Sequence, residues 1–595
     1  MKIKDPISKT SIAVIPFVNM SDDKENEYFS DGITEEIINA LTTIKELKVI
    51  ARTSSFVYKG KNMDVREIGK QLNVTSLLEG SIRKSAHKIR ITAQLIETQN
   101  GTHYWSKNFD RELTDIFELQ DEISLLIANE IRNNFGFFEI QDHLVDNSTK
   151  KIEAYEHFLK GRYYQLQWTP DALNKAIQFY NKATSLDTNY AKAYYGTIQC
   201  YELLTTWGYM SKDEGTENAL LNLMKAKEID TNLPEYPMSY VNKCFWREWD
   251  FASTYQYIKD VLAINPNHVD ALDTMVKLFM AHGYFDEAIF YGKKLLEIDP
   301  LSANNQYIFA NIYYYKGDFD ITLHHITKAI ELRLDFDLAY HKKAVCLIAL
   351  NKKEQLENEF QTNPLWEKIQ LLNEVVNENR NTLPKEVLSN FLYNHLKRDQ
   401  LTLFELFILA NTQYKNEAFE LLKEFVAQKR GQILNYKQEP LLKPLRKFDD
   451  FYNLHVSNFS MEQIIENQKS TETTKPLLSE EEQEELQNKL TAYFNEEKPY
   501  LDASLSLNTI AEILEISTNK ASFLINEVIG MNFNEYVNSF RLRYFKKIAL
   551  LPENENFTLL GLAFDSGFNS KTVFNSYFKK HENTTPSTWL KINKK

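Results

Sequence analysis

Residues 505–530 read LSLNTIAEILEISTNKASFLINEVIG, and residues 557–580 read FTLLGLAFDSGFNSKTVFNSYFKK. Each is a short helix, a tight turn and a second helix. The first turns at Glu515-Ile516 and restarts at Ser517; the second turns at Gly567-Phe568 and restarts at Asn569-Ser570. Small residues, Ala511 and Ala563, stand where two helices must cross closely, and a Ser or Asn is placed to cap each second helix. A helix held this way enters a DNA major groove. Two of them, about fifty residues apart and joined by a helix, can read two successive groove segments.

Periodicity separates the core face from the reading face. In the first recognition helix Ala521, Leu524, Ile525 and Val528 recur at helical spacing and face inward. Thr518, Asn519, Lys520, Ser522, Phe523 and Asn526 are left outside. In the second, Val573, Phe574, Tyr577 and Phe578 form the apolar stripe, leaving Ser570, Lys571, Thr572, Asn575, Ser576 and Lys579 for DNA. Asn, Ser, Thr and Lys supply the donors and acceptors that base edges and phosphates require. One such helix alone reads better as a solvated polar face; two in one matched pattern favour double-stranded DNA. The units are expected to share a core of Ile510, Leu514, Leu524, Phe564, Phe568, Phe574 and Phe578.

The segment from about 486 to 592 resembles the AraC-type DNA-binding domain of bacterial transcription regulators. The resemblance rests on Ala563-Phe564-Asp565-Ser566-Gly567-Phe568-Asn569-Ser570-Lys571, then Phe574, Phe578-Lys579, and Thr585-Pro586-Ser587 before Trp589. In the first unit Ile516-Ser517, Leu524, Asn526, Gly530 and Phe533 fit as well. Glu515 and Asn583 depart from the family's usual glycines, and Ala521 from a larger apolar residue. Gly561 lies inside a helix at about 1 kcal/mol against Ala. None of the four is on the proposed DNA face. The resemblance implies a sequence-specific transcription regulator.

With 595 residues, three or more domains are expected. The net charge of −13 argues against a protein that coats nucleic acid, but residues 500–595 hold 11 Lys and Arg against 9 Asp and Glu, a net +2. A mildly basic reader on an acidic body suits selective, salt-sensitive contact. Cys200, Cys244 and Cys346 lie far apart with no CxxC, so they read as buried apolar residues in a reducing compartment. The apolar run Ile12–Val18 is short and broken by Pro16, and no stretch approaches membrane-spanning length, so a cytoplasmic protein is expected.

The middle of the chain repeats. Asn265-Pro266 and Asp299-Pro300 are 34 residues apart, as are Gly283 and Gly317, and Phe285 and Phe319. That period, with a mid-repeat glycine and a closing proline, is the tetratricopeptide signature. Such units stack into a superhelix with a concave groove, here rich in aromatics and suited to a peptide or protein partner. From 364 to 455 the sequence stays helical but the period degrades, and Glu439–Arg446 resembles the end of such an array. His268 and His324-His325 lack supporting ligands at metal-site spacing, so no metal is expected.

Residues 11–135 alternate strand and helix, an α/β sandwich of mixed sheet. They resemble the TolB-like domain that bacteria place before tetratricopeptide arrays, through Ala13–Phe17, Tyr28–Glu35, Arg52–Phe56, Glu79–Ser81 and Gln94–Ile96. Asp31-Gly32 reads as a turn and cap opening a helix whose first turn carries Glu35 and Glu36. A phosphate-binding glycine loop is absent, and His87 and His103 have no nucleophile in context, so neither cofactor nor catalysis is expected.

The organisation is therefore an α/β domain (1–140), an all-α tetratricopeptide superhelix (150–360), a degenerate helical extension (361–465), a polar linker (466–485) and an all-α double helix-turn-helix domain (486–595). It suggests a transcription regulator whose first domains sense a ligand or protein partner, with a homodimer left open. The alternative is a tetratricopeptide scaffold whose C-terminal domain docks proteins instead of DNA. A signalling enzyme of related layout would need a cyclase or kinase domain, which the sequence does not show.

Overall fold

Ser11–Val14 forms strand β1, and all four of its residues are buried. The run breaks at Pro16, which has no N–H for a ladder, and resumes as β2 (Val18–Asn19). β1 pairs in parallel with β3 (Lys48–Val49) and β4 (Ser76–Ser85), and β2 pairs with the second half of β4. β5 (Lys88–Glu97) and β6 (His103–Glu112) continue the sheet antiparallel, in the order β3-β1-β4-β5-β6. Helices α1 (Glu27–Thr42) and α4 (Ile116–Phe135) share one core with the sheet. Between them α2 (Arg52–Phe56) and α3 (Val65–Leu72) follow, and Ile68 and Leu72 of α3 pack with Ala13 and Leu77 in a second core. The structure describes residues 10–85, 88–145, 149–167, 169–206, 209–394, 402–461 and 477–594; His87 lies outside them.

Asp31-Gly32 does not open a helix; it lies inside α1, which starts at Glu27. Glycine gives the crossing room there: a Cβ would sit 2.7 Å from Leu159 Cδ2 of the first repeat helix and would push that side chain aside. Asp31 pairs with Lys59 instead of capping.

The repeat array is regular where the period is clean. First helices begin at Val269, Ala303 and Asp337, and second helices at Phe285, Phe319 and Lys353. Gly283 and Gly317 make the turns with φ of 77° and 91°, a region glycine enters without Cβ strain. Upstream, Lys243–Glu248 is a π-helical turn, closed by left-handed Trp249. One continuous core runs from Met238 to Phe459, so the degenerate extension packs as part of the array. The N-terminal core in turn takes in Leu173 to Leu204 of the first repeats. Cys200, Cys244 and Cys346 are all buried and unbridged. His268 caps the helix Val269–Ala281, and His325 bonds Gln306 at 2.8 Å.

The N-terminal domain spans the array twice. At the first repeat, Glu35 binds Arg162 (2.8 Å) and Arg52 (3.2 Å). Burial opposes ionisation of Glu35, but the two guanidiniums outweigh it and hold its carboxyl below the usual range. Farther along, the Ala51 N–H donates to the Ile298 carbonyl (2.9 Å), Asn265 Nδ2 to Thr42 (3.0 Å), and Ser54 Oγ to Asp299. Burial pushes the Asp299 carboxyl up to about 6. The superhelix is thereby closed around a cavity of about 2790 Å³.

Of the expected linker 466–485, residues 466–476 lie outside the described residues. The last part of that stretch is helix, not linker: Glu480–Glu496 begins ahead of the expected domain start at 486. A capping box sets it, in which the Ser479 side chain accepts from the Glu482 N–H and Glu482 accepts from the Ser479 N–H.

Candidate nucleic-acid interface

The first unit consists of Leu507–Leu514, capped by Ser506, and a recognition helix Thr518–Phe523, capped by Ser517. The second consists of Leu559–Asp565, capped by Thr558, and a recognition helix Lys571–Glu582, capped by Ser570. Each cap oxygen satisfies an N–H that the first helical turn leaves without a partner. The helix Phe533–Ala549 joins the units. The first recognition helix runs on as a π-helical turn over Leu524–Val528, so i+4 spacing does not hold across Asn526.

The expected shared core is in fact two cores. Tyr536 and Val537 of the joining helix pack with Ile510, Leu514 and Leu524; its Phe545 and Ile548 pack with Phe568, Phe574 and Phe578. Phe564 belongs to neither and is 47% exposed. Its helix is two turns long, and Leu562 and Ala563 already fill the inward stripe. Val573, also expected inside, is exposed for the same reason beside Phe574. The units are still rigidly joined. Buried Arg541 donates to the carbonyls of Tyr500 (2.8 Å) and Asp502 (2.9 Å), and burial pushes its guanidinium down to about 10. Gly567, at φ 91°, lies so close that a Cβ would sit 2.0 Å from the Tyr500 oxygen.

The two reading faces differ in access. Lys571, Thr572, Asn575, Ser576 and Lys579 are exposed, and Ser570 is half-buried as a cap. Among the described residues, neither Lys571 nor Lys579 takes part in an ion pair. On the first helix Thr518, Asn519, Lys520 and Asn526 are half-buried. Ser522, expected outside, is fully buried and its Oγ accepts from Asn526 at 3.2 Å. Lys520 pairs with Glu482 at 3.2 Å.

The cover on this face is the end of the N-terminal domain. Asn519 Oδ1 accepts from Arg132 Nη1 (2.7 Å) and from the Ile140 N–H (3.3 Å), and Asn519 Nδ2 donates to the Ile140 carbonyl (3.2 Å). The Phe137 ring meets Phe523 edge-on at 5.5 Å. Asn532 and Asn534 donate to the carbonyl and the side chain of Asn134 at 3.0 and 2.9 Å. Sequence reading missed these partners. On α4 the buried ridge Ile116, Gln120, Ser124, Ala128 and Arg132 already mixes polar and apolar residues, so a charge at its end gave no warning of a distant partner.

A helix-turn-helix domain profile matches residues 510–592, the segment just described. The C-terminal domain is an AraC-type helix-turn-helix domain. A second profile, HilA/YgeH-like transcriptional regulator, second domain, matches residues 8–126, and one for anaphase-promoting complex, cyclosome, subunit 3 matches 281–361 in the repeats. The AraC-type domain has a counterpart in the melibiose operon regulatory protein of Escherichia coli (strain K12), 26% identical over 91 residues, 15% of this chain and 29% of that protein. The chain is also similar to "Putative adenylate cyclase 3" of Rhizobium meliloti (strain 1021), 37% identical over 230 residues, 38% of this chain and 39% of that protein. It thus spans well under half the length of either relative. Among solved structures, YrrB, a TPR protein with an unusual peptide-binding site, is 24% identical, covers 33% of this chain and 98% of that one, with a TM-score of 0.22. Among the described residues no helix is long and apolar enough to cross a membrane.

Proposed function

We propose that this chain is a sequence-specific, DNA-binding transcription regulator. The carrying observation is the second recognition helix: a capped helix whose exposed face bears Lys571, Thr572, Asn575, Ser576 and Lys579. Such residues make bidentate base contacts and phosphate contacts in a major groove. The N-terminal domain, which we read as TolB-like, and the repeat cavity would receive a ligand or protein partner. The cavity wall carries both charges, Asp273 with Lys277 and Glu36 with Lys192 among them, which suits a polar ligand more than a lipid. We assign the chain no catalytic role and place it in the cytoplasm.

The test is selection of duplexes from a random pool by the full chain, followed by binding to the selected site over a salt series. A defined site and a falling affinity with salt support a reader. A chain that selects no sequence favours the scaffold alternative, in keeping with the engagement of Asn519 by Arg132 and Ile140 of the same chain.

A further inference from the structure

We infer that residues 132–145 are a latch: one face holds the first recognition helix off DNA, and the other is a wall of the repeat cavity, so that occupancy of the cavity is coupled to the first reader. The latch has this role only if the C-terminal domain reads DNA, as proposed above.

Three observations carry it. The Asn519 amide has two acceptor lone pairs and two N–H groups. Arg132 and the Ile140 N–H take both lone pairs, and the Ile140 carbonyl takes one N–H. No acceptor is left for the paired contact by which an Asn reads adenine. Sterically, Phe137 lies on Phe523, and Asn134 extends the contact to the start of the joining helix. A groove about 12 Å wide admits a helix, not a helix with a second chain laid along its face.

The contact is also built to open. Apart from the ring contact it is polar, and Arg132 is 2% exposed yet, among the described residues, bonds only the amide oxygens of Asn519 and Asn129, with Nε unpartnered. Burial without a carboxylate pushes its guanidinium down to about 10. A buried charge without a counter-ion weakens the closed state.

Beyond Ile140 the same segment turns to the cavity, where Gln141, His143, Leu144 and Val145 form part of the wall. Asp121 of α4 pins it there, accepting the N–H groups of Leu144 (2.7 Å) and Val145 (3.0 Å) and meeting His143 Nδ1 at 2.7 Å. Only a few residues separate the cavity wall from Ile140, so whatever displaces 143–145 pulls on the bonds to Asn519.

The test uses the full chain, with Arg132→Ala/Phe137→Ala to open the latch from the reader side and Asp121→Asn to loosen it from the cavity side. Amide exchange over 518–528 should rise about tenfold in the double variant and remain unchanged over 571–582. Affinity for the duplex selected by the wild-type chain should tighten by roughly 5–150-fold, the span of ordinary couplings between sites. The footprint should gain a second region about 10 base pairs away. Asp121→Asn should move all three in the same direction by less. A short bis-maleimide joining Phe137→Cys to Phe523→Cys should do the reverse, which guards against a double variant that merely misfolds. A wild-type chain that already protects both regions with the double variant's affinity overturns the latch. An Asp121→Asn variant identical to wild type overturns the coupling to the cavity. Raised exchange with no DNA bound by either protein overturns the DNA reading and leaves the contact standing.

Discussion

The two helix-turn-helix units are near equivalents in sequence and opposites in circumstance. Both have a capped recognition helix, a buried alanine at the crossing and their own core. The second turns on Gly567 and shows its reading face to solvent; the first turns on left-handed Glu515 (φ 58°), lapses into a π-helical turn and lies under the N-terminal domain. A pattern of residue types specifies what a helix can read. Whether it is free to read depends on chain about 380 residues away.

Exchanging the turn chemistry should break this comparison most severely. Gly567→Ala places a Cβ 2.0 Å from the Tyr500 carbonyl oxygen on left-handed backbone. It should destabilise the second unit by roughly 3 kcal/mol or more, measured as early exchange of amides 571–582 in urea, before those of 518–528.

Acidity should separate the units next. The cover on the first unit belongs to a domain held on the repeats partly through Ser54 and Asp299. Burial raises the Asp299 pKa from 3.8 to about 6, so the folded state favours the neutral acid. Its stabilisation is complete below about pH 3.8 and is lost as pH rises through about 6, a difference of about 3 kcal/mol. Stability measured by denaturation should fall over that window, and Asp299→Asn should flatten the profile. The second unit's own melt should not follow it.

Recognition itself gives the third contrast. In the full chain, Lys571→Ala or Asn575→Ala should lose about 1–3 kcal/mol of DNA affinity if the residue meets a base, with relaxed preference at one position. Asn519→Ala should lose far less, because the wild-type residue is already engaged by Arg132 and Ile140. Equal losses at Asn519 and Asn575 in titrations on one duplex would erase the distinction. The smallest effect is expected at the first turn, where Glu515→Gly should gain about 1 kcal/mol in a thermal melt by relieving left-handed strain.

The sequence showed what is local and periodic. The 34-residue spacing of Gly283 and Gly317 placed real turns, and the caps Ser517 and Ser570 started the recognition helices where they were expected. It misjudged residues at the edge of a stripe: Phe564 and Val573 are outside and Ser522 inside, because in short helices one residue's rotation decides the face. The start of α1 was missed because Asp31-Gly32 looks like a cap, while its glycine serves a close crossing with Leu159. Arg132 and Phe137 on the reading helix were not legible, since pairing between distant segments leaves no periodicity in either.

The seam between Ser54 and Asp299 joins positions 245 residues apart. At about 5–20 residues per second of synthesis, the N-terminal domain waits roughly 12–50 s for its distant half-seat to leave the ribosome. During that interval Ala51 and Ser54, which the finished fold bonds to Ile298 and Asp299, face solvent or a chaperone. Ring closure is therefore a late event in the birth of the molecule, and the contact with Asn519 later still, so in a nascent chain Arg132 and Ile140 wait unengaged until the last domain, which carries the first reader, has been made.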